Sequence, residues 1–213
     1  MSSFFAVHEH PPGAVPAAPW RPFRELLDDP AVLTARIAAI QAYLATGGGQ
    51  PAVRVAASVT HLGLLARLVS PTLGIAAVTG EFPALDLADV WWQPELGGTF
   101  PLSVHYRPDG SAAAFVDGPL RTLTARFDVS GKVLWGNVAS AINGAAAMLA
   151  STRPELADRA AALATDLLST PLLRDTNTSR ANGSFQRRSC CLIYLAAAEP
   201  NRNAVCGDCV LAP

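Results

Sequence analysis

The sequence predicts an α+β fold in which a mostly helical main domain contains a small central antiparallel sheet and is followed by a C-terminal cysteine hairpin module. Apolar residues recur at helical spacing in the first and last parts of the chain, whereas turn residues separate short apolar runs in the middle. All four cysteines lie between Cys190 and Cys209. We therefore expect a flexible N-terminal lead-in over residues 1–19, the main domain over 20–171 and the cysteine module over 172–213.

The helices are predicted from the spacing of leucine, isoleucine and valine. Asp28-Asp29-Pro30 interrupts the first apolar period and should divide it into two helices. Pro51 suits the first turn of the next helix, and Pro71 is expected to end that helix. The resulting helical ranges are 23–45 with one break, 51–69, 71–77, 133–150 and 154–168.

The middle of the chain has a different pattern. Short apolar runs between Asp86 and Phe127 are separated by turn-forming residues, which is typical of strands and hairpins. The turn signals are Gln93-Pro94, Gly97-Gly98, Pro108-Asp109-Gly110 and Asp117-Gly118-Pro119. This region should supply the antiparallel sheet, and the polar residues 172–184 should form a loop that leads into the cysteine module.

Composition excludes several classes of protein. The net charge is -1 and no sign of charge dominates, so nucleic acid is not an expected partner. Residues 53–78 form the longest apolar stretch, but Arg54, Arg67 and Pro71 interrupt it, so we expect no membrane span. The first residues lack the pattern of a signal peptide, which predicts a cytoplasmic protein. Thiols stay reduced there, and clustered cysteines then indicate metal or redox chemistry.

The cysteines form two motifs, the adjacent pair Cys190-Cys191 and the Cys-x-x-Cys turn from Cys206 to Cys209. A Cys-x-x-Cys turn lets two thiolates converge on one metal, and Gly207 lets the backbone bend there. Two adjacent ligands require a distorted backbone, since neighbouring side chains on a regular strand point to opposite faces. The residues alone leave two alternatives open, an iron-sulfur cluster or a structural zinc site of four thiolates.

The sequence around these motifs resembles a known family. Arg-Arg-Ser-Cys-Cys-Leu at 187–192 and Cys-Gly-Asp-Cys-Val-Leu at 206–211 are similar to the C-terminal [2Fe-2S] module of the siderophore ferric-iron reductases, typified by the ferrioxamine reductase. The spacer between the cysteine pairs is longer here than is usual in that family, which we interpret as a longer hairpin tip. Trp135-Gly136-Asn137 is also similar to a Gly-Asn helix start in the same family.

The resemblance implies a [2Fe-2S] cluster on Cys190, Cys191, Cys206 and Cys209 and an enzyme that reduces ferric siderophores by one electron to release ferrous iron. The chain has no Gly-x-Gly-x-x-Gly after a strand, so we expect the electron from a separate donor such as a ferredoxin. Asp208 should push the potential down because it is negative and beside the cluster. The alternative is a non-catalytic domain that binds a siderophore or a protein, with zinc on the cysteines.

Other residues are candidates for substrate or partner docking. Arg187, Arg188 and Arg202 could receive an anionic siderophore or an acidic ferredoxin, although a solvated arginine face is the simpler interpretation. His61 and His105 could bind metal or relay protons, but neither has a partner at ligand spacing, and structural roles are favoured. Three tryptophans could line a ligand cleft, with core packing the favoured interpretation. They are Trp91, Trp92 and Trp135.

Overall fold

The computed structural model describes residues 2–198 and 205–211 and has an α+β architecture that is mostly helical. The helices are α1 (Glu25–Asp28), α2 (Pro30–Ala45), α3 (Val53–Thr79), α4 (Ala112–Phe115), α5 (Arg121–Thr124), α6 (Gly131–Thr152) and α7 (Ala157–Leu168). The strands are β1 (His8–Glu9), β2 (Arg21–Pro22), β3 (Val90–Trp92), β4 (Leu102–Val104), β5 (Asn177–Ser179) and β6 (Phe185–Arg187).

The predicted break between the first two helices is confirmed. Asp29 adopts an extended conformation, with φ at -117°, and its carboxylate accepts a hydrogen bond of 2.9 Å from the amide of Ala31. Pro30 then occupies the first helical position, where its missing N–H costs nothing. An acidic N-cap followed by proline thus ends α1 and begins α2.

The prediction that Pro71 ends a helix is wrong, because α3 runs through it without interruption. A proline inside a helix removes one hydrogen bond and costs about 3 kcal/mol. Here the residues around Pro71 are buried on all sides, and the Thr72 hydroxyl donates to the Leu68 carbonyl at 2.7 Å. Burial of apolar surface outweighs the local cost, and the helix ends at Gly80, whose φ of 85° is left-handed.

Helix α3 forms the centre of the core. It packs against α6 on one side and α2 on another, while α7 covers α6. The predicted helices at 133–150 and 154–168 are confirmed as α6 and α7, the second preceded by a 3-10 turn over Pro154–Leu156. Buried leucine, valine, phenylalanine and alanine side chains fill the space between these elements in one continuous cluster.

The small sheet is present but is mixed, not antiparallel throughout. Its strand order is β1-β4-β3-β2. The pairs β2–β3 and β3–β4 are antiparallel, whereas β1 runs parallel to β4 with His8 opposite Ser103. The parallel edge strand is β1, which lies in the segment that we expected to be a flexible lead-in. Phe5 lies buried just before β1 and fixes this segment to the core.

Residues 112–124 are helical, and the prediction of strands there is wrong. The Ser111 hydroxyl accepts a hydrogen bond of 3.1 Å from the amide of Ala114 and begins α4. One π-helical turn, Val116–Leu120, joins α4 to α5 and contains the Gly118-Pro119 pair that suggested a hairpin turn. The apolar residues of this segment bury one helical face, which outweighs the local turn preference of the pair.

A second, two-stranded sheet leads to the cysteines. Strands β5 and β6 pair antiparallel, with Asn177 opposite Arg187, so part of the predicted loop over residues 172–184 is a strand. The hairpin tip contains Gly183 with φ at 79° and an Asn182 side chain that accepts a hydrogen bond of 3.0 Å from the Ser184 amide. This hairpin delivers the chain to Cys190 from the surface of α6.

Two helices, α3 and α6, are long and apolar enough by length and composition alone to cross a membrane. In the most apolar window of each, 61% and 50% of the residues are buried inside the fold. Much of each helix thus packs within the fold.

Candidate metal centre

The four cysteines lie close together at the end of the β5–β6 hairpin, and all four are free thiols. Cys190 and Cys191 follow β6, and the expected backbone distortion appears at Leu192, whose φ of 68° is left-handed. Cys206 and Cys209 occupy a turn that is closed by a 3.0 Å hydrogen bond from the Cys209 amide to the Cys206 carbonyl.

The thiols are arranged as two pairs that join the two motifs. The Sγ atoms of Cys191 and Cys206 are 3.6 Å apart, and the thiol of Cys190 lies against that of Cys209. Two thiolates about 2.3 Å from one tetrahedral metal are about 3.8 Å apart, so the first pair has the separation of ligands on a common metal. Within residues 2–198 and 205–211, no group of three or more His, Cys, Asp or Glu side chains surrounds a single point.

The arrangement of the thiols can be compared with the two kinds of group that the sequence left open. A [2Fe-2S] cluster takes two protein ligands on each of two irons, whereas a structural zinc takes four ligands on one ion. Cys190 interacts with Cys191 as well as with Cys209, so the two pairs adjoin. The donor set, four sulfurs and no histidine or carboxylate, suits either metal.

Two of the thiols resist ionisation. Burial and, less strongly, the neighbouring Cys191 raise the pKa of Cys206 to about 12, although Arg187 opposes both effects. Burial also raises the pKa of Cys190. Cys190 and Cys206 would therefore stay protonated at neutral pH as bare thiols, and a bound metal cation would favour their thiolate forms.

Within residues 2–198 and 205–211, three N–H groups point at the sulfurs. The amides of Leu192 and Leu211 donate to the Sγ atoms of Cys190 and Cys209, each at 3.3 Å. The guanidinium Nη2 of Arg187 donates to Cys206 Sγ at 3.1 Å. Hydrogen bonds of this kind stabilise thiolate charge and tune a metal centre.

Arg187 is not a docking residue, because its side chain is only 1% exposed. Strand β6 directs it inward, where Nη1 donates to Asn137 Oδ1 at 3.0 Å. Its Nε lies 3.4 Å from Asp208 Oδ2 in an ion pair without hydrogen-bond geometry. Burial alone would lower the pKa of Arg187, but Cys191, Asp208 and Cys206 together raise it. The guanidinium thus remains charged beside the sulfurs.

Asp208 was expected to place a negative charge beside the centre, and its carboxylate is compensated instead. Besides the ion pair with Arg187, Asp208 Oδ2 accepts a hydrogen bond of 2.5 Å from Ser140 Oγ on α6. The backbone carbonyl of Asp208 accepts from the Arg187 amide at 3.0 Å. Asp208 therefore positions the Arg187 guanidinium and ties the Cys-x-x-Cys turn to α6.

The two central helices supply the surface on which the cysteine segment lies. Ser58 of α3 donates from Oγ to the Cys191 carbonyl at 2.8 Å and accepts from Asn137 Nδ2 of α6 at 3.0 Å. A side chain on Gly136 would overlap Ser189 Oγ, which itself donates to the Lys132 carbonyl at 2.7 Å. Gly136 and Asn137 lie inside α6, not at a helix start, and both contact this segment.

The remaining candidates lie in different places. Arg188 is exposed and lines a pocket of about 470 Å³ together with Lys132, Trp135 and Ser189, the residue before Cys190.

The other two tryptophans lie at the small sheet. Trp92 is buried in the core and its indole N–H donates to Glu25 at 3.0 Å, while Trp91 is half-buried on the same strand. Arg202 lies outside the residues that the structure describes.

The histidines do not join the cysteine centre. His61 is buried, with its Nε2 3.1 Å from the Thr124 hydroxyl and its Nδ1 3.5 Å from the Asn137 side-chain amide. Its ring packs edge-on against Phe127. Burial lowers the pKa of His61 to about 3, so its ring is neutral at pH 7. The ring of His105 lies 6.5 Å from that of His10, at the small sheet.

Comparison with known proteins adds no family assignment. A scan against protein-family models matches no family, and a search of curated proteins finds no match. Function therefore has to be argued from the geometry of the site.

Several residues of the site could not be singled out from the sequence. Ser58 and Ser140 are short polar residues inside long apolar helices, and this was their only signal. Asn137 was named only for its resemblance to a helix start, which did not indicate a contact with the cysteine segment. Arg180 Nη2 and Gln186 Nε2 both donate to the Cys209 carbonyl, at 3.1 and 3.2 Å. These contacts depend on the hairpin folding back on α6, which no local sequence pattern indicates.

The close approach of Gly49 to the cysteine segment gives a first prediction. A methyl group at Gly49 would overlap the carbonyl oxygen of Ala196, whereas Gly47 has room for one. Gly49→Ala should displace the backbone around Ala196, so that amides 191–196 exchange their hydrogens at least about tenfold faster by mass spectrometry or NMR. Gly47→Ala should leave that exchange unchanged, and equal protection in both variants would contradict the packing described here.

The buried His61 predicts a pH dependence of stability. Because its folded pKa is about 3 and its unfolded pKa about 6.5, only the unfolded state takes up a proton between these values. The free energy of unfolding should fall by about 1.4 kcal/mol per pH unit as the pH drops from 6.5 towards 4.5. Urea titrations should show this slope reduced in His61→Gln and retained in His8→Gln, an exposed control; an unchanged slope in His61→Gln would refute the assignment.

Proposed function

We propose that this chain is a cytoplasmic [2Fe-2S] protein that reduces ferric siderophores by one electron. The observation that carries the proposal is the arrangement of four free thiols in two pairs beside a buried, charged Arg187 guanidinium. The motif resemblance at 187–192 and 206–211 points to the same function.

The residues that would hold the cluster are the two thiol pairs, Cys190 with Cys209 and Cys191 with Cys206. A cluster held there would supply single electrons at a potential set by nearby charges and hydrogen bonds. Arg187 compensates thiolate charge at Cys206. The amides of Leu192 and Leu211 do the same at the other pair.

The exposure of the sulfurs suggests where a substrate would approach. Cys190 and Cys206 are half-buried, whereas Cys191 and Cys209 are fully buried. The pocket lined by Lys132, Trp135 and Arg188 reaches Ser189, the chain neighbour of Cys190. It offers an anionic ferric chelate two cations and an aromatic wall, with Asp175 as one carboxylate on the same lining. Reduction of the bound ferric ion to ferrous iron lowers its charge density, so hard oxygen donors hold it less tightly and release it. The electron would come from a separate donor such as a ferredoxin.

The competing function is a non-catalytic domain that binds a siderophore or a protein, in which zinc staples the cysteine segment. The close packing of that segment on α3 and α6 through Ser58 and Asn137 favours a structural role for the metal. The two functions differ in the metal that they require.

Metal analysis of anaerobically purified protein is the first test. We expect about two irons and two acid-labile sulfides per chain, with a visible spectrum that bleaches on reduction by dithionite and a paramagnetic signal in the reduced state. Zinc without sulfide would overturn the reductase proposal and support a non-catalytic binding domain with a structural zinc site.

Removal of one ligand tests the assignment of the cysteines. Cys206→Ser should lose the cluster and all ferric-siderophore reduction, since an alcohol is a poor ligand for iron in this site. Ser184→Ala, at an exposed position in the β5–β6 hairpin, serves as the control and should keep both. A full cluster in Cys206→Ser would refute the ligand set.

Substitutions of the two adjacent arginines should distinguish an effect on the redox potential from an effect on substrate docking. Arg187→Met removes a cation and an N–H···S hydrogen bond, both of which favour the more negative reduced state, so the potential should fall by on the order of 100 mV. Arg188→Met should keep the potential and raise KM for an anionic ferric siderophore. Asp208→Asn should raise the potential, which redox titration of all three variants would measure. Equal potentials in wild type and Arg187→Met would contradict the role given to Arg187.

A further inference from the structure

A second site is indicated by Arg36 of α2, far in sequence from the cysteines. Arg36 is only 8% exposed. Its guanidinium lies 5.3 Å from the centroid of the Trp92 ring and 5.5 Å from the centroid of the Phe100 ring. Within residues 2–198 and 205–211, no carboxylate pairs with this guanidinium and no protein acceptor receives a hydrogen bond from it, yet its nitrogens are not among the atoms sealed from solvent. Its N–H groups are therefore available to a ligand.

A second arginine adds to the positive charge. Arg67 of α3 is 2% exposed, and its guanidinium lies 5.8 Å from the centroid of the same Phe100 ring. It donates to backbone carbonyls, among them those of Phe100 at 2.9 Å, Phe4 at 2.6 Å and Ala6 at 2.9 Å. These acceptors satisfy its N–H groups but are neutral, so two positive charges remain uncompensated around one aromatic ring.

The stacked position of Arg36 favours an anion at this place. The contacts with the Trp92 and Phe100 rings attract the positive charge but use none of its N–H groups. Partial burial lowers the pKa of Arg36, because loss of hydration disfavours the charged guanidinium. A bound anion would offset it, and the cation–π contacts with Trp92 and Phe100 already hold the guanidinium in place for one.

A cavity of about 330 Å³ provides the space for such a ligand. Arg36 and Arg67 both line it, and most of its other walls are apolar. The apolar lining comprises Phe4, Ile40, Leu44, Val59, Leu64 and Phe100. Gly63 borders the cavity on α3, and a side chain built there would meet nothing within 4 Å. The volume is at the lower end of the range for small-molecule sites, about 300–1,000 Å³.

We propose that this cavity binds a small organic carboxylate, with its charged end on Arg36 and an apolar body against Ile40, Leu44 and Leu64. A carboxylate matches the planar guanidinium fork with two oxygens. A phosphate would bring more oxygens and charge than Arg36 can satisfy, because the N–H groups of Arg67 are already bonded to carbonyls. This site does not depend on the proposed function of the cysteines.

The test uses octanoate as the probe and octanamide as its uncharged counterpart, titrated into the full-length protein by isothermal calorimetry. Octanoate should bind saturably and at least about tenfold more tightly than octanamide, since only the carboxylate pairs with Arg36. No octanoate binding, or equal binding of the amide, would overturn the proposal. Displacement of octanoate by an equal concentration of inorganic phosphate would also overturn it, in favour of a phosphate site.

Two variants locate the binding. Arg36→Met should weaken octanoate binding at least about tenfold, and Arg54→Met, an exposed arginine on α3, is the matched control that should bind normally. Gly63→Leu should fill the cavity and abolish binding with no loss of thermal stability, because the side chain enters open space and leucine favours a helix. Gly63→Leu keeps Arg36, so it tests the site even where Arg36→Met fails to fold. Normal octanoate binding in Gly63→Leu would refute the site.

Discussion

The organisation of the cysteine segment depends on the buried guanidinium of Arg187. It contacts α6 through Asn137 and the Cys-x-x-Cys turn through Cys206 and Asp208. An arginine that is 1% exposed can remain charged only where acceptors and negative groups surround it, and the sulfurs provide part of that surrounding. The thiol pairs and the arginine therefore stabilise one another, and neither would be placed as it is without the other.

The helical core is what makes this arrangement possible. Ser58 on α3 and Asn137 on α6 meet where the two helices pack, and together they present hydrogen-bonding groups to Cys191 and Arg187. Both are fully buried, so each lost contact would leave a polar group unsatisfied in an apolar interior. A core that serves only for stability would place apolar residues at these positions. The presence of Ser58 and Asn137 in the core is explained by their hydrogen bonds to the cysteine segment.

Sequence patterns predicted the long helices, the existence of a small sheet and the clustering of the cysteines. They failed at Pro71, where burial outweighed a local rule, and at Gly118-Pro119, where turn-forming residues lie in a π-helical turn. The role of Arg187 was missed because a surface arginine and a buried one look alike in sequence. Its position follows from the pairing of β6 with β5, a tertiary fact that no spacing of residues indicates.

Each thiol pair combines one deeply buried sulfur with one half-buried sulfur: Cys209 with Cys190, and Cys191 with Cys206. An oxidant that arrives from solvent would therefore meet one member of each pair first. Both half-buried members, Cys190 and Cys206, have a raised thiol pKa, so as bare thiols they would react slowly with such an oxidant. For the proposed cluster, in contrast, access through either pair would make oxygen exposure the principal vulnerability.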